Sequence, residues 1–116
     1  MPAKVPPFVA DFRTTHADVW EAFNALADKC HNAGPLDEKT RRLVKVALSV
    51  GAGLEGGTHS AVRNARAAGI TDEELAHVCV LAITTLGFPA AMRALTWVSD
   101  RAGSGQRAAG REPKTT

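Results

Sequence analysis

Three residues with complementary chemistry follow one another at four-residue intervals in the middle of the chain. They are Glu55, His59 and Arg63, within the segment LEGGTHSAVR at residues 54–63. If this segment is helical, the three side chains share one face. A carboxylate beside a histidine can orient and polarise the imidazole for proton transfer, and an arginine can hold a substrate carboxylate by a forked hydrogen bond. The pattern therefore predicts an acid/base site with an anion clamp.

The hydroxyl groups of Thr58 and Ser60 lie in the same segment and could add hydrogen bonds to a substrate. The alternative to a site is an ordinary solvated helix face, for which acid, histidine and arginine at this spacing are equally typical. The residues themselves leave both interpretations open.

Other residues that often carry chemistry lack partners at the required spacing. Cys30 is followed by His31, but no second pair has the spacing of metal ligands, so we expect no metal and interpret Cys30 as a core thiol. Cys79 is far from Cys30 in the sequence, and we expect both thiols to be reduced. We interpret His77 as a structural or interfacial residue, and nothing in the sequence indicates an organic cofactor.

Composition limits the classes of partner. With 116 residues, 45% of them apolar and 22% charged, the chain fits one domain with a packed core. The formal charge of +2 arises entirely from residues 103–116, and the neutral remainder predicts no nucleic-acid surface. The most apolar stretch, residues 78–91, is too short to span a membrane. We find no targeting segment and expect a cytoplasmic protein.

Helix signals predict an all-α fold with five helices and no strand. The first helix should begin near Thr14 or Thr15, where Thr15 and Asp18 fit a capping box, and end at Gly34. Asp37 is a good N-cap for the second helix. These limits divide the chain into an N-terminal extension (1–13), a helical domain (14–102) and a disordered basic tail (103–116).

The second half of the chain carries stronger signals. Glycines at 51, 53, 56 and 57 predict either a break or a close approach to the backbone, before a third helix over about 58–68. Thr71 and Glu74 fit a second capping box at the start of the fourth helix. Gly87 should end that helix, and Pro89 should open the fifth.

The fourth predicted helix is apolar on every side from Val78 to Ile83. A helix of this kind must be buried all round. Because so small a domain offers few neighbours to cover it, we expect a homo-oligomer.

From Leu36 to Asp100 the sequence resembles the carboxymuconolactone decarboxylase and alkylhydroperoxidase D-like family. The matching pieces are LDEKTRRLVKVA (36–47), the glycine-rich segment, ARAAG (65–69), ITDEEL (70–75), LAITTLGFPAA (81–91) and Trp97. The resemblance implies an all-helical domain that assembles as a homotrimer or homohexamer.

The redox branch of that family carries the motif Cys-x-x-Cys-x-x-x-His with a glutamate upstream. Counted back from Gly69, the two cysteine positions fall on Leu54 and Gly57, the histidine on Ala61 and the glutamate on Arg42. Because a dithiol peroxidase needs both thiols, we do not expect thiol peroxidase activity.

The resemblance therefore implies a decarboxylase-like enzyme that acts on a small carboxylic acid or lactone, without a cofactor, at Glu55, His59 and Arg63. A non-catalytic oligomeric binding or scaffold protein of the same fold is the alternative. An alkylhydroperoxidase-like antioxidant is a third and weaker one.

Overall fold

A computed structural model describes residues 5–99, and all regular structure within that range is helical. Six helices follow one another: α1 (Pro7–Thr15), α2 (Ala17–His31), α3 (Glu38–Gly51), α4 (Glu55–Ala67), α5 (Asp72–Leu86) and α6 (Phe88–Ser99). The all-α prediction is therefore confirmed, whereas the predicted count of five helices is wrong. The extra helix is α1, which starts where Pro7 occupies a favoured first position. The predicted basic tail lies outside the described residues.

The described residues divide between Asp37 and Glu38 into two compact units. The first contains α1 and α2, which are separated by a break at His16. The predicted capping box of Thr15 and Asp18 is absent, because Thr15 is the last residue of α1 and its hydroxyl donates to the carbonyl of Asp11 at 3.0 Å. Neither helix has a buried residue.

The burial of the apolar stripe on α2 consequently differs from the prediction. Val19, Phe23 and Leu26 are exposed in one copy of the chain. Cys30 is exposed as well, so its interpretation as a core thiol is wrong. The spacing of these residues gave the correct helix, but spacing alone does not provide a neighbour to cover the stripe.

The second unit contains α3 to α6 and the hydrophobic core. Small and medium-sized apolar side chains dominate this core, which lets the helices approach closely. The buried residues are Val46, Val50, Val62, Ala65, Ile70, Leu75, Cys79, Ala82, Ala91, Ala94 and Val98.

Both ends of α5 follow the sequence signals, whereas α4 begins at Glu55, earlier than the predicted start at about residue 58. Thr71 Oγ1 accepts a hydrogen bond from the backbone N–H of Glu74 at 3.1 Å, and the Glu74 carboxylate accepts one from the N–H of Thr71 at 2.9 Å. The capping box of α5 is therefore confirmed. Gly87, with φ of 98°, ends α5 in a conformation that only glycine adopts without strain.

The burial of α5 is uneven. Its inner face is buried through Leu75, Cys79 and Ala82, whereas Val80 and Leu81 are 56% and 61% exposed. The composition of α5 predicts burial on all sides. One copy of the chain does not provide it. None of the helices within residues 5–99 is long and apolar enough to cross a membrane.

Candidate functional site

The segment that carries the predicted acid/base residues is helical, as that prediction requires. The chain turns at Gly53, where φ is 70°, and α4 begins at Glu55. An acidic side chain in the first turn is favoured by the positive end of the helix dipole. Glu55, His59 and Arg63 therefore occupy successive turns along one face of α4.

Two of these side chains come close to each other. His59 Nε2 lies 3.7 Å from Glu55 Oε2, which is longer than a hydrogen bond but within the range of an ion pair. The His59 side chain is 23% exposed, and that of Glu55 is 66% exposed. The imidazole is thus sheltered but still reachable, next to a solvated carboxylate.

Arg63 is half-buried one turn beyond His59. Within residues 5–99 it forms no ion pair that would occupy its guanidinium. A half-buried guanidinium that forms no ion pair is available to bind an anion. Anion binding by Arg63 stays a prediction.

Thr58 lies on the inner face of α4, with Val62 and Ala65 along the same side. Its side chain is completely buried, and its Oγ1 has no hydrogen-bond partner in the part of the chain that the structure describes. A buried hydroxyl without a partner costs roughly 1–3 kcal/mol. Ser60, in contrast, is half-buried.

Gly57 marks a close approach at the start of α4. A side chain there would place its Cβ 3.2 Å from Cβ of Leu54, closer than ordinary contact. The glycine-rich segment is thus both a break, with Gly51 ending α3, and a close approach at Gly57. Arg42, at the glutamate position of the redox branch, donates to Glu38 Oε2 at 2.8 Å within α3.

The two thiols lie in different units of the chain. Cys79 is buried, and desolvation raises the pKa of its thiol, which disfavours the reactive thiolate. Cys30 is exposed in the other unit. Among residues 5–99 no group of three His, Cys, Asp or Glu side chains could hold a metal ion.

A concave feature that the sequence did not predict lies between α3 and α5. This groove has a volume of about 570 Å³ and is mostly apolar. None of the five predicted site residues lines it. Its polar lining includes Glu74 and His77. The only sequence signal for this groove was that Glu74 and His77 lie three residues apart on α5. The two residues become part of a groove only because α3 packs beside α5.

Comparison with known proteins gives one finding. The family model described as the carboxymuconolactone decarboxylase family matches residues 17–100, well over half of the chain. No curated protein and no solved structure matches the sequence significantly.

Proposed function

Since the chain belongs to the carboxymuconolactone decarboxylase family, we propose that it is an enzyme that acts on a small carboxylic acid or lactone. The reaction uses acid/base chemistry on the exposed face of α4 and needs no cofactor. The observation that carries this proposal is the 3.7 Å approach of Glu55 to His59, with Arg63 one turn further along the helix.

In this proposal each residue has one role. His59 accepts a proton from a carbon of the substrate and returns it at another carbon, or protonates the carbanion that remains when a carboxyl group leaves as CO₂. Glu55 stabilises the imidazolium that exists between the two proton transfers. Arg63 binds a carboxylate that the substrate retains. Ser60 supplies a hydrogen bond to the substrate, whereas Thr58 is buried on the inner face of α4 and cannot contact a substrate on the exposed face.

We further propose that the working form is a homo-oligomer, a trimer or hexamer. The support for this is apolar surface: Leu48, Val80 and Phe88 are each more than half exposed in one copy. Large exposed apolar side chains on a small protein are typical of an interface. A neighbouring copy would also cover the outer side of α5.

A non-catalytic binding protein of the same fold is the second candidate. The specific observation that favours it is Ala61, which stands where the redox branch of the family has its histidine. In that case the α4 face would be an ordinary solvated helix surface. We do not propose a thiol peroxidase, because Leu54 and Gly57 replace the two cysteines of the motif.

The test is turnover by the full chain with a panel of γ-lactones and small dicarboxylic acids. We expect His59→Gln to lower kcat by about a hundredfold or more. Arg63→Met should instead raise KM roughly tenfold, because it removes a charge-assisted bond to the substrate. His16→Gln, at an exposed histidine of the other unit, is the matched control and should leave both constants unchanged.

Two results would separate the candidates. Turnover that His59→Gln abolishes supports the enzyme. Turnover that survives this substitution, or a panel without any substrate for the wild-type protein, would contradict the enzyme proposal and favour the binding protein.

A further inference from the structure

The groove between α3 and α5 has a polar end and an apolar end. Lys39 and Glu74 form an ion pair near the starts of the two helices. The groove follows α3 from Thr40 to Gly51, about 16 Å of helix. Its volume of about 570 Å³ is within the range of small-molecule binding sites.

The walls beyond the polar end are aliphatic, apart from a threonine near the far end. Leu43, Val44, Ala47 and Val50 come from α3, and Val78, Leu81, Ala82 and Leu86 come from α5. Thr85 also lines the groove, but its hydroxyl donates to the carbonyl of Leu81 at 3.4 Å. An occupant therefore needs an apolar body.

The polar end combines a fixed acceptor with a histidine. The Glu74 carboxylate is held by Lys39 and by the backbone N–H of Thr71. His77 lies one turn further along α5 and forms no ion pair within the described range. A head group there meets an anionic acceptor and an imidazole that can either donate or accept.

We propose that this groove binds a linear aliphatic alcohol, with its chain along α3 and α5 and its hydroxyl group between Glu74 and His77. A hydroxyl group donates one hydrogen bond and accepts others, which matches a carboxylate beside an imidazole. A fatty acid carboxylate cannot donate a hydrogen bond to the Glu74 carboxylate, since both groups only accept, and is therefore disfavoured. This site is separate from the α4 face and does not depend on the proposed enzymatic function.

Titration calorimetry of the full chain with 1-hexanol, 1-heptanol and 1-octanol tests the proposal. Each added methylene group buried in the groove should tighten binding about fourfold. Octanoate should bind at least tenfold more weakly than 1-octanol. Glu74→Gln removes the charge but keeps a side chain that suits the capping box. This substitution should therefore reduce the difference in affinity between 1-octanol and octanoate. Affinity that does not change with chain length, or octanoate that binds as tightly as 1-octanol, would overturn the proposal.

Two matched substitutions locate the binding. Ala47 lines the groove and is exposed, so Ala47→Phe should fill the groove and abolish alcohol binding. Ala67→Phe, at an exposed position of α4, should leave binding unchanged. Methyl NMR shifts of Val44 and Leu81 on addition of 1-octanol give a readout that needs no variant. If those shifts are absent, or if Ala47→Phe changes the sedimentation of the protein while no alcohol binds, the groove is a contact between copies and the proposal fails.

Discussion

At the scale of a single residue, the buried hydroxyl of Thr58 lowers the stability of the folded protein. Its hydroxyl is buried without a hydrogen-bond partner among residues 5–99. Valine has nearly the same shape and no polar atom to desolvate. We therefore expect Thr58→Val to raise the free energy of unfolding by about 1 kcal/mol, measured by urea denaturation.

The control is Thr96→Val, because Thr96 is exposed and its hydroxyl donates to the carbonyl of Arg93 at 2.6 Å. That substitution should change stability by less than about 0.5 kcal/mol. A Thr58→Val protein that is less stable than the wild type would mean that the hydroxyl has a partner.

At the scale of the helix, the start of α5 makes stability depend on pH. The pKa of Glu74 lies below its ordinary value of 4.5, because the Lys39 side chain and then the backbone N–H of Thr71 stabilise the charged carboxylate. A lowered carboxyl pKa contributes stability above pH 4.5, and this contribution is lost as the pH falls through the lower folded-state value. Glu74→Gln should thus be less stable than the wild type at pH 7, with a difference that disappears under acidic conditions.

The neighbouring Glu73→Gln variant is the matched control, since Glu73 lies exposed in the same first turn of α5. The stability difference between Glu73→Gln and the wild type should change less with pH than that of Glu74→Gln, because Glu73 forms no ion pair within residues 5–99. Thermal melts at a series of pH values measure both differences. Parallel curves for Glu74→Gln and the wild type across that series would contradict the assigned role of Glu74.

Arg66 joins three helices. From the last turn of α4 its Nε donates to Asp72 Oδ1 at 3.0 Å, and its Nη2 donates to the carbonyl of Val98 at 2.9 Å. We expect Arg66→Met to lower the free energy of unfolding by about 2 kcal/mol, because it removes the hydrogen bonds of Arg66 to Asp72 and to the end of α6.

Arg66→Lys keeps the charge but cannot reach two acceptors with a planar fork, so it should recover only part of that loss. Urea denaturation measures both variants. If Arg66→Met proves as stable as the wild type, the contacts of Arg66 do not hold α6 in place.

What the sequence could predict at this scale depends on how local the signal is. The capping box of Thr71 and Glu74 involves four consecutive residues, and the structure contains it. Thr15 and Asp18 match the same pattern, but α1 extends through Thr15 and uses its hydroxyl. The prediction that Glu55, His59 and Arg63 share one face required only that residues 55–63 be helical. The groove depends on the packing of α3 beside α5, which no local pattern records.

At the scale of the whole molecule, the feature that one copy does not account for is exposed apolar surface rather than charge. The core of the second unit is well buried, yet the outer side of α5 exposes Val80. Burial of apolar area contributes roughly 25 cal/mol per Å², so surfaces of this kind favour association of copies. The all-round apolar composition of α5 predicted this need, but composition carries no information about the number or arrangement of the copies.

Val80→Lys tests that association directly. Val80 is exposed, so a lysine there should be tolerated by a single folded copy but should place a desolvated charge in any interface that covers α5. We expect sedimentation velocity to show a shift from oligomer to monomer at micromolar concentration, with an unchanged helical circular dichroism spectrum. Asn64→Lys adds the same charge at an exposed polar position of α4 and should leave the oligomer intact. If Val80→Lys sediments like the wild type, the outer side of α5 is not an interface, and the homo-oligomer must form through another surface or not at all.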